Sequence, residues 1–181
     1  VLERGFDITF DPDVTRAAEQ IPLKISEEEI LKRRDFRDTL TFTIDPHDAK
    51  DFDDALSWKK LTNGNIEVGV HIADVSHYVT PGSLIDREAL KRGTSIYLVD
   101  RTIPMLPERL SNGICSLVEG EDRLTFSAVF TVNNKGNVLS EWFGRTVIHS
   151  AKRFTYEEAQ AVLDKNEGHH REALISLDHI A

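Results

Sequence analysis

Ile66, Val68, Val70 and Ile72 recur at every second position, directly after Thr62-Asn63-Gly64-Asn65. A period of two belongs to a strand, and Asn-Gly accepts the positive φ that a tight hairpin turn needs. A strand over about 65–73 is therefore expected to run back against one over 55–60. Residues 124–133 and 138–148 repeat the arrangement around a turn at Asn133-Asn134-Lys135-Gly136. Hairpins interspersed with short helices predict an α+β fold: a mixed, largely antiparallel sheet with a few short helices.

The helices announce themselves by their caps. Ser26 with Glu29, and Thr155 with Glu158, have capping-box spacing, which predicts helices over 27–34 and from Thr155 to about Asp164. Ser83 is placed to cap a helix over 84–92, with Asp86 at its positive end, Lys91 and Arg92 at its negative end and Gly93 stopping it. Residues 94–99 read as another strand, and 101–117 as a loop with a short helical turn. Residues 1–25 read as a lead-in or linker from an upstream region, with a short helix over Pro12–Glu19; the folded unit is expected over 26–181. Residues 165–181 are polar and indistinct up to Leu174-Ile175-Ser176-Leu177.

A chain of 181 residues can hold one domain with a real core. Its 31 Asp+Glu against 22 Lys+Arg leave a net charge of −9, which argues against a stand-alone nucleic-acid binder. That balance does not exclude an enzyme that meets phosphate through bound metal. The basic groups Lys32-Arg33-Arg34 with Arg37, Lys91-Arg92 and Lys152-Arg153 read as solvated ends of helices or strands. No apolar run approaches the roughly 20 residues that span a membrane. The opening Val1-Leu2-Glu3-Arg4-Gly5 is not a signal peptide and lacks a starting Met. A single cysteine, Cys115, allows no internal disulfide and suits a reducing, cytoplasmic setting. Cys115 itself reads as a small buried hydrophobe.

The chemistry concentrates in one place. Leu40, Phe42 and Ile44 alternate with threonines, the pattern of a half-buried strand, and Asp45 follows on the threonine face before Pro46 ends the ladder. Asp51, Asp53 and Asp54 come next, with Asp48 a further acid between them, so the aspartates are expected in a loop leaving the sheet. Two carboxylates about 4 Å apart repel by roughly 4 kcal/mol at an effective dielectric near 20. Such a group must protonate in part, spread in water or bind a cation. Hard oxygen donors suit Mg²⁺ or Mn²⁺. A calcium loop of the EF-hand kind fails on spacing: counted from Asp45, the fifth position is Ala49 and the sixth Lys50. A solvated acidic turn stays open, and the Asp51/Asp53 pair alone would equally suit a metal-using phosphatase or glycosyltransferase. His71 lies opposite the Ile66–Ile72 apolar face, exposed or cleft-lining, with a structural role the better reading; His169 and His170 are expected in solvent.

Read together, residues 43–56 (Thr-Ile-Asp-Pro-His-Asp-Ala-Lys-Asp-Phe-Asp-Asp-Ala-Leu) resemble the signature of the ribonuclease II/ribonuclease R (RNB) family. So do 70–79, then 86–97 around Asp86-Arg87-Glu88-Ala89 and Arg92-Gly93-Thr94-Ser95-Ile96-Tyr97, then 103–117, with a weaker likeness to about Tyr156. The wording is closer to ribonuclease R than to ribonuclease II. The resemblance implies a processive, Mg²⁺-dependent (Mn²⁺ as the alternative) 3′→5′ exoribonuclease that acts on single-stranded RNA and releases nucleoside 5′-monophosphates. Carried over residue by residue, it implies metal ligation by Asp45, Asp51, Asp53 and Asp54. Asp45 and Asp54 are direct ligands, Asp53 the residue whose loss stops chemistry while sparing RNA binding, and Asp51 a supporting ligand or water positioner. It also implies that Tyr97 stacks on a base near the RNA 3′ end. Read alone, Tyr97 is an ordinary strand tyrosine in the core.

The chain departs from the family in extent. Relatives carry RNA-binding barrels before and after the catalytic domain, and a later arginine-rich block that clamps phosphate; none has a match here. Residues 26–181 are thus expected to be the N-terminal portion of an RNB catalytic domain. RNA partnership would then depend on other domains of the same parent chain, and the isolated chain is expected to bind RNA weakly and cleave little. A non-catalytic RNA- or protein-binding relative with a vestigial metal site is the alternative.

Overall fold

The computed structural model describes residues 7–99 and 101–181. Its frame is a seven-stranded sheet. The strands in chain order are β1 (Arg34–Phe36), β2 (Thr41–Asp45), β3 (Asp54–Lys60), β4 (Ile66–Ala73), then β7 (Asp122–Val132), β8 (Val138–His149) and β9 (Lys152–Thr155). Short β5 (Ile96–Tyr97) and β6 (Thr102–Ile103) pair with each other apart from it. Across the sheet the order is β1-β8-β7-β4-β3-β2-β9, antiparallel except for the outermost pairs β1–β8 and β2–β9. This is the α+β, largely antiparallel sheet that the hairpins predicted. Both hairpins form where expected, and β7–β8 carries a bulge at Thr131/Val132.

The helices are α1 (Pro12–Glu19), α2 (Glu27–Leu31), α3 (Val75–Tyr78), α4 (Leu84–Arg92), α5 (Tyr156–Lys165) and α6 (Arg171–Ile180), with a π-helical turn over Arg109–Ile114. The caps at Ser26, Ser83 and Thr155 all form; Thr155 and Glu158 complete a reciprocal box. Gly93 closes α4 in the left-handed region at φ 77°, a conformation a side chain would strain. α2 stops at Leu31, short of the expected 27–34, because β1 claims Arg34. The strand expected over 94–99 shrinks to Ile96–Tyr97.

The sheet is packed on both faces, which corrects the one-sided reading of β2 and β4. One core joins Phe36, Ala55, Ala73, Val129 and Ile148 to Val14 and Ala18 of α1, Ile85 of α4, and Leu110 and Ile114 of the π turn. The other sets Phe42 and Phe154 against Ala159, Val162, Ala173 and Leu174 of α5 and α6. Thr41, Phe42 and Thr43 are therefore all buried. α5 and α6 cover only part of their face, and Ile72 is left 48% exposed. His71, on the opposite side, is fully buried, with its ring edge-on to Phe36 and its Nδ1 2.6 Å from Ser127 Oγ. Gly69 makes room for that ring, since a Cβ there would stand 2.6 Å from His71 Nε2.

Residues 1–6 of the expected lead-in lie outside the described residues. From Asp7 on the segment is docked. Arg92 donates to the carbonyls of Asp7 and Thr9, and its guanidinium lies 3.8 Å from the Phe10 ring centroid. Arg92 is thus no solvated helix end, and neither is Arg33. The Arg33 side chain is fully buried, with Nη2 2.7 Å from Glu29 Oε1 and 2.8 Å from Asp74 Oδ2.

Candidate active site

At the acidic cluster, β2 and β3 separate. They pair only at Thr41–Ser57 and Phe42–Leu56. Beyond that point β2 follows β9 as far as Asp45–Thr155, while β3 is aligned with β4 from Asp54–Ile72 onward. The two strands form a fork, and residues 46–53 bridge its mouth. Asp45 is the last residue of one prong and Asp54 the first of the other; Asp51 and Asp53 lie in the bridge. The expected loop thus holds only part of the group, because strand pairing extends to Asp45 and Asp54.

The bridge is tied down by groups distant in sequence. Ser116 Oγ accepts from the Phe52 amide (3.0 Å) and donates to the Lys50 carbonyl (3.1 Å). The Leu117 amide donates to the Phe52 carbonyl (2.7 Å), and the Ala73 amide to that of Asp53 (2.9 Å). At the other end, Arg153 Nη2 donates to the carbonyls of Pro46 (2.8 Å) and His47 (2.7 Å). Phe52 is buried in the core beneath the loop. Neither Ser116 nor Arg153 is marked by any local sequence signal, because the loop they hold lies more than 60 and 100 positions away, respectively.

Three of the four carboxylates feel one another. Burial raises the Asp45 pKa above the usual carboxylate range; the charges of Asp54 and Asp53 add to that, while the Thr43 hydroxyl and Arg153 oppose it. Asp54 is also raised, first by partial enclosure and then by Asp53. Asp51 is turned elsewhere: Tyr97 Oη donates to its Oδ2 at 2.5 Å. That bond, followed by burial, pushes the Tyr97 hydroxyl up to about 12, so it stays a donor. Tyr97 is 65% exposed, which corrects the plain core reading of this residue.

Asp45 Oδ2 is buried and has no hydrogen-bond partner among the described residues. An orphaned anionic oxygen beside further carboxylates suits a hard divalent cation. Among the described residues, no three His, Cys, Asp or Glu side chains already stand as a cage around such an ion. The donor chemistry fits a metal, and the last ligands would have to turn inward to bind it. His47 and His169 are exposed and take no part; His170 stacks on Phe42 and belongs to the α5/α6 core rather than to solvent. Cys115 is buried, as expected of a small hydrophobe.

Known proteins share this sequence and fold. A model of the RNB domain matches residues 33–180. Ribonuclease R of Thermotoga maritima is 54% identical over 155 residues, covering 86% of this chain and 22% of that protein. Ribonuclease R of Mycoplasma genitalium, solved in complex with ribose-methylated single-stranded RNA, superposes with a TM-score of 0.85 at 32% identity, covering 98% of this chain and 28% of that one. An Arabidopsis thaliana relative named an inactive exonuclease, DIS3L2, is 45% identical over 158 residues, 87% of this chain and 15% of that protein. The chain thus spans well under a third of these relatives' length. It belongs to the RNB domain family.

Proposed function

We propose that this chain supplies the metal-holding part of a 3′→5′ exoribonuclease active site acting on single-stranded RNA and releasing nucleoside 5′-monophosphates, with Mg²⁺, or Mn²⁺ in its place, as the ion. The observation that carries the reading is the fork: it presents Asp45 and Asp54 at facing strand ends, with one buried carboxylate oxygen left unpartnered. Asp45 and Asp54 are the direct ligands, with Asp53 and Asp51 beside them. When bound, the ion would polarise the phosphoryl group and lower the pKa of its water. Asp53, exposed in the bridge, faces the reacting phosphate. The Tyr97 ring, exposed beside Asp51, offers a face on which a terminal base of any identity can stack. The domain over residues 26–181, with α1 of the lead-in packed into its core, forms the N-terminal portion of a catalytic unit. The partners are the RNA 3′ end and the RNA-binding domains of a longer parent, the setting is cytoplasmic, and the isolated chain turns over little RNA.

The test is a chimera in which residues 33–180 replace the matching segment of Thermotoga ribonuclease R. The chimera should release monophosphates from single-stranded RNA. Asp53→Asn should lower that rate by orders of magnitude with RNA affinity nearly kept. Undiminished hydrolysis in Asp53→Asn would sink the reading.

A further inference from the structure

We infer that Arg153 is a positioning residue that clamps the bridge between the two aspartate-bearing strands and so sets the shape of the cation site. This rests on the metal reading above. Three observations place it. The parallel register of β9 on β2 puts Arg153 beside Thr43, two residues before Asp45, and its amide is pinned by Glu119 Oε2 at 2.8 Å. One nitrogen, Nη2, then donates to two successive bridge carbonyls, Pro46 at 2.8 Å and His47 at 2.7 Å; the Pro46 oxygen also accepts from the Ala49 amide at 3.1 Å. Finally, the guanidinium lies 5.1 Å from the ring centroid of Phe52, near the far end of the same bridge. A single planar cation therefore links residues 46–47, residue 52 and the β2 prong. A flexible ammonium could donate to the same carbonyls but lacks the planar group that lies against Phe52.

The experiment compares the unsubstituted chain with Arg153→Met and Arg153→Lys by amide hydrogen exchange and by Mn²⁺ binding followed through the electron paramagnetic resonance of free Mn²⁺. Arg153→Met should speed exchange within 47–53 while leaving β7 and β8 unchanged. It should also weaken Mn²⁺ binding by about tenfold or more, the usual scale for a partner that orients metal ligands. Arg153→Lys should recover part of both. Unchanged exchange in the bridge overturns the inference, as does faster exchange with unaltered Mn²⁺ affinity, which would make the residue structural only. If the unsubstituted chain takes up no Mn²⁺, the metal reading falls, and with it the role of Arg153 as its positioner.

Discussion

Tyr97 and Asp51 are joined by a 2.5 Å hydrogen bond in which the phenol donates to the carboxylate. A carboxylate oxygen engaged this way is occupied when a cation arrives. Tyr97→Phe should therefore tighten Mn²⁺ binding by roughly fivefold, the worth of about 1 kcal/mol for one hydrogen bond. Because the ring remains, RNA affinity of the chimera should hold. Tyr97→Ala should tighten Mn²⁺ equally and weaken RNA binding by about 1–3 kcal/mol through lost stacking. Calorimetry with Mn²⁺ and filter binding with RNA separate the two roles.

Asp45 carries a raised pKa from burial and neighbouring carboxylates. The folded state then holds its proton more readily than the unfolded chain, so stability falls as pH rises past the ordinary value of 3.8. At pH 7 the ionised group is a cost. Asp45→Asn should raise Tm at pH 7 by about 2–4 °C, the response of a chain this size to about 1 kcal/mol. The gain should fade in acid below the ordinary carboxylate range. Mn²⁺ should raise the Tm of the unsubstituted chain and leave that of Asp45→Asn nearly unmoved. Scanning calorimetry across pH, with and without Mn²⁺, checks all three.

The buried Arg33 stands between Glu29 and Asp74. Burial by itself would push the Asp74 carboxyl up, but the Ser76 hydroxyl and Arg33 outweigh it and hold the pKa below the usual range. Among the described residues, removing the cation leaves Glu29 with only His77 at 3.5 Å, and Asp74 with Ser76 and the more distant Arg145 at 3.8 Å. Arg33→Met should cost about 3–5 kcal/mol in urea unfolding, whereas the more exposed Arg34→Met should cost far less.

His71 is the clearest acid-sensitive element. Burial, with a smaller contribution from the Arg34 charge, lowers its pKa from 6.5 to about 4. The unfolded chain thus binds a proton that the folded one refuses, and stability falls as pH drops from about 6.5 to about 4. The expected loss is about 3 kcal/mol, from about 1.4 kcal/mol per unit. His71→Gln should be less stable at pH 7 but should lose most of that slope, read as the urea midpoint against pH.

Legibility in the sequence tracked locality. The two hairpins and the three Ser/Thr caps were readable because turn, period and cap all sit within a few residues of each other. The four aspartates were readable as a group for the same reason. α6 was not: its cap residue His170 makes no side-chain bond to it, and no Ser, Thr, Asp or Asn stands there to announce its start. β1 was hidden because its three residues pair with Thr146–Ile148, over a hundred positions on. The inward side of β4 was misjudged because alternation reports that one face is apolar, not that both faces are covered. Arg33 and Arg153 read as solvated, and Ser116 drew no reading of its own, because each acts on a segment brought near only by the fold.

The fork between β2 and β3 also bears on how such a site can vary. Each prong is secured by its own outer neighbour, β9 on one side and β4 on the other, so neither relies on the bridge for its place. Residues 46–53 then span two posts whose spacing is a property of the sheet. Rewriting the bridge would shift Asp51 and Asp53 while leaving Asp45 and Asp54 in place. The acidic cluster is thereby under two separate controls, strand pairing for one half and the bridge with its clamp for the other.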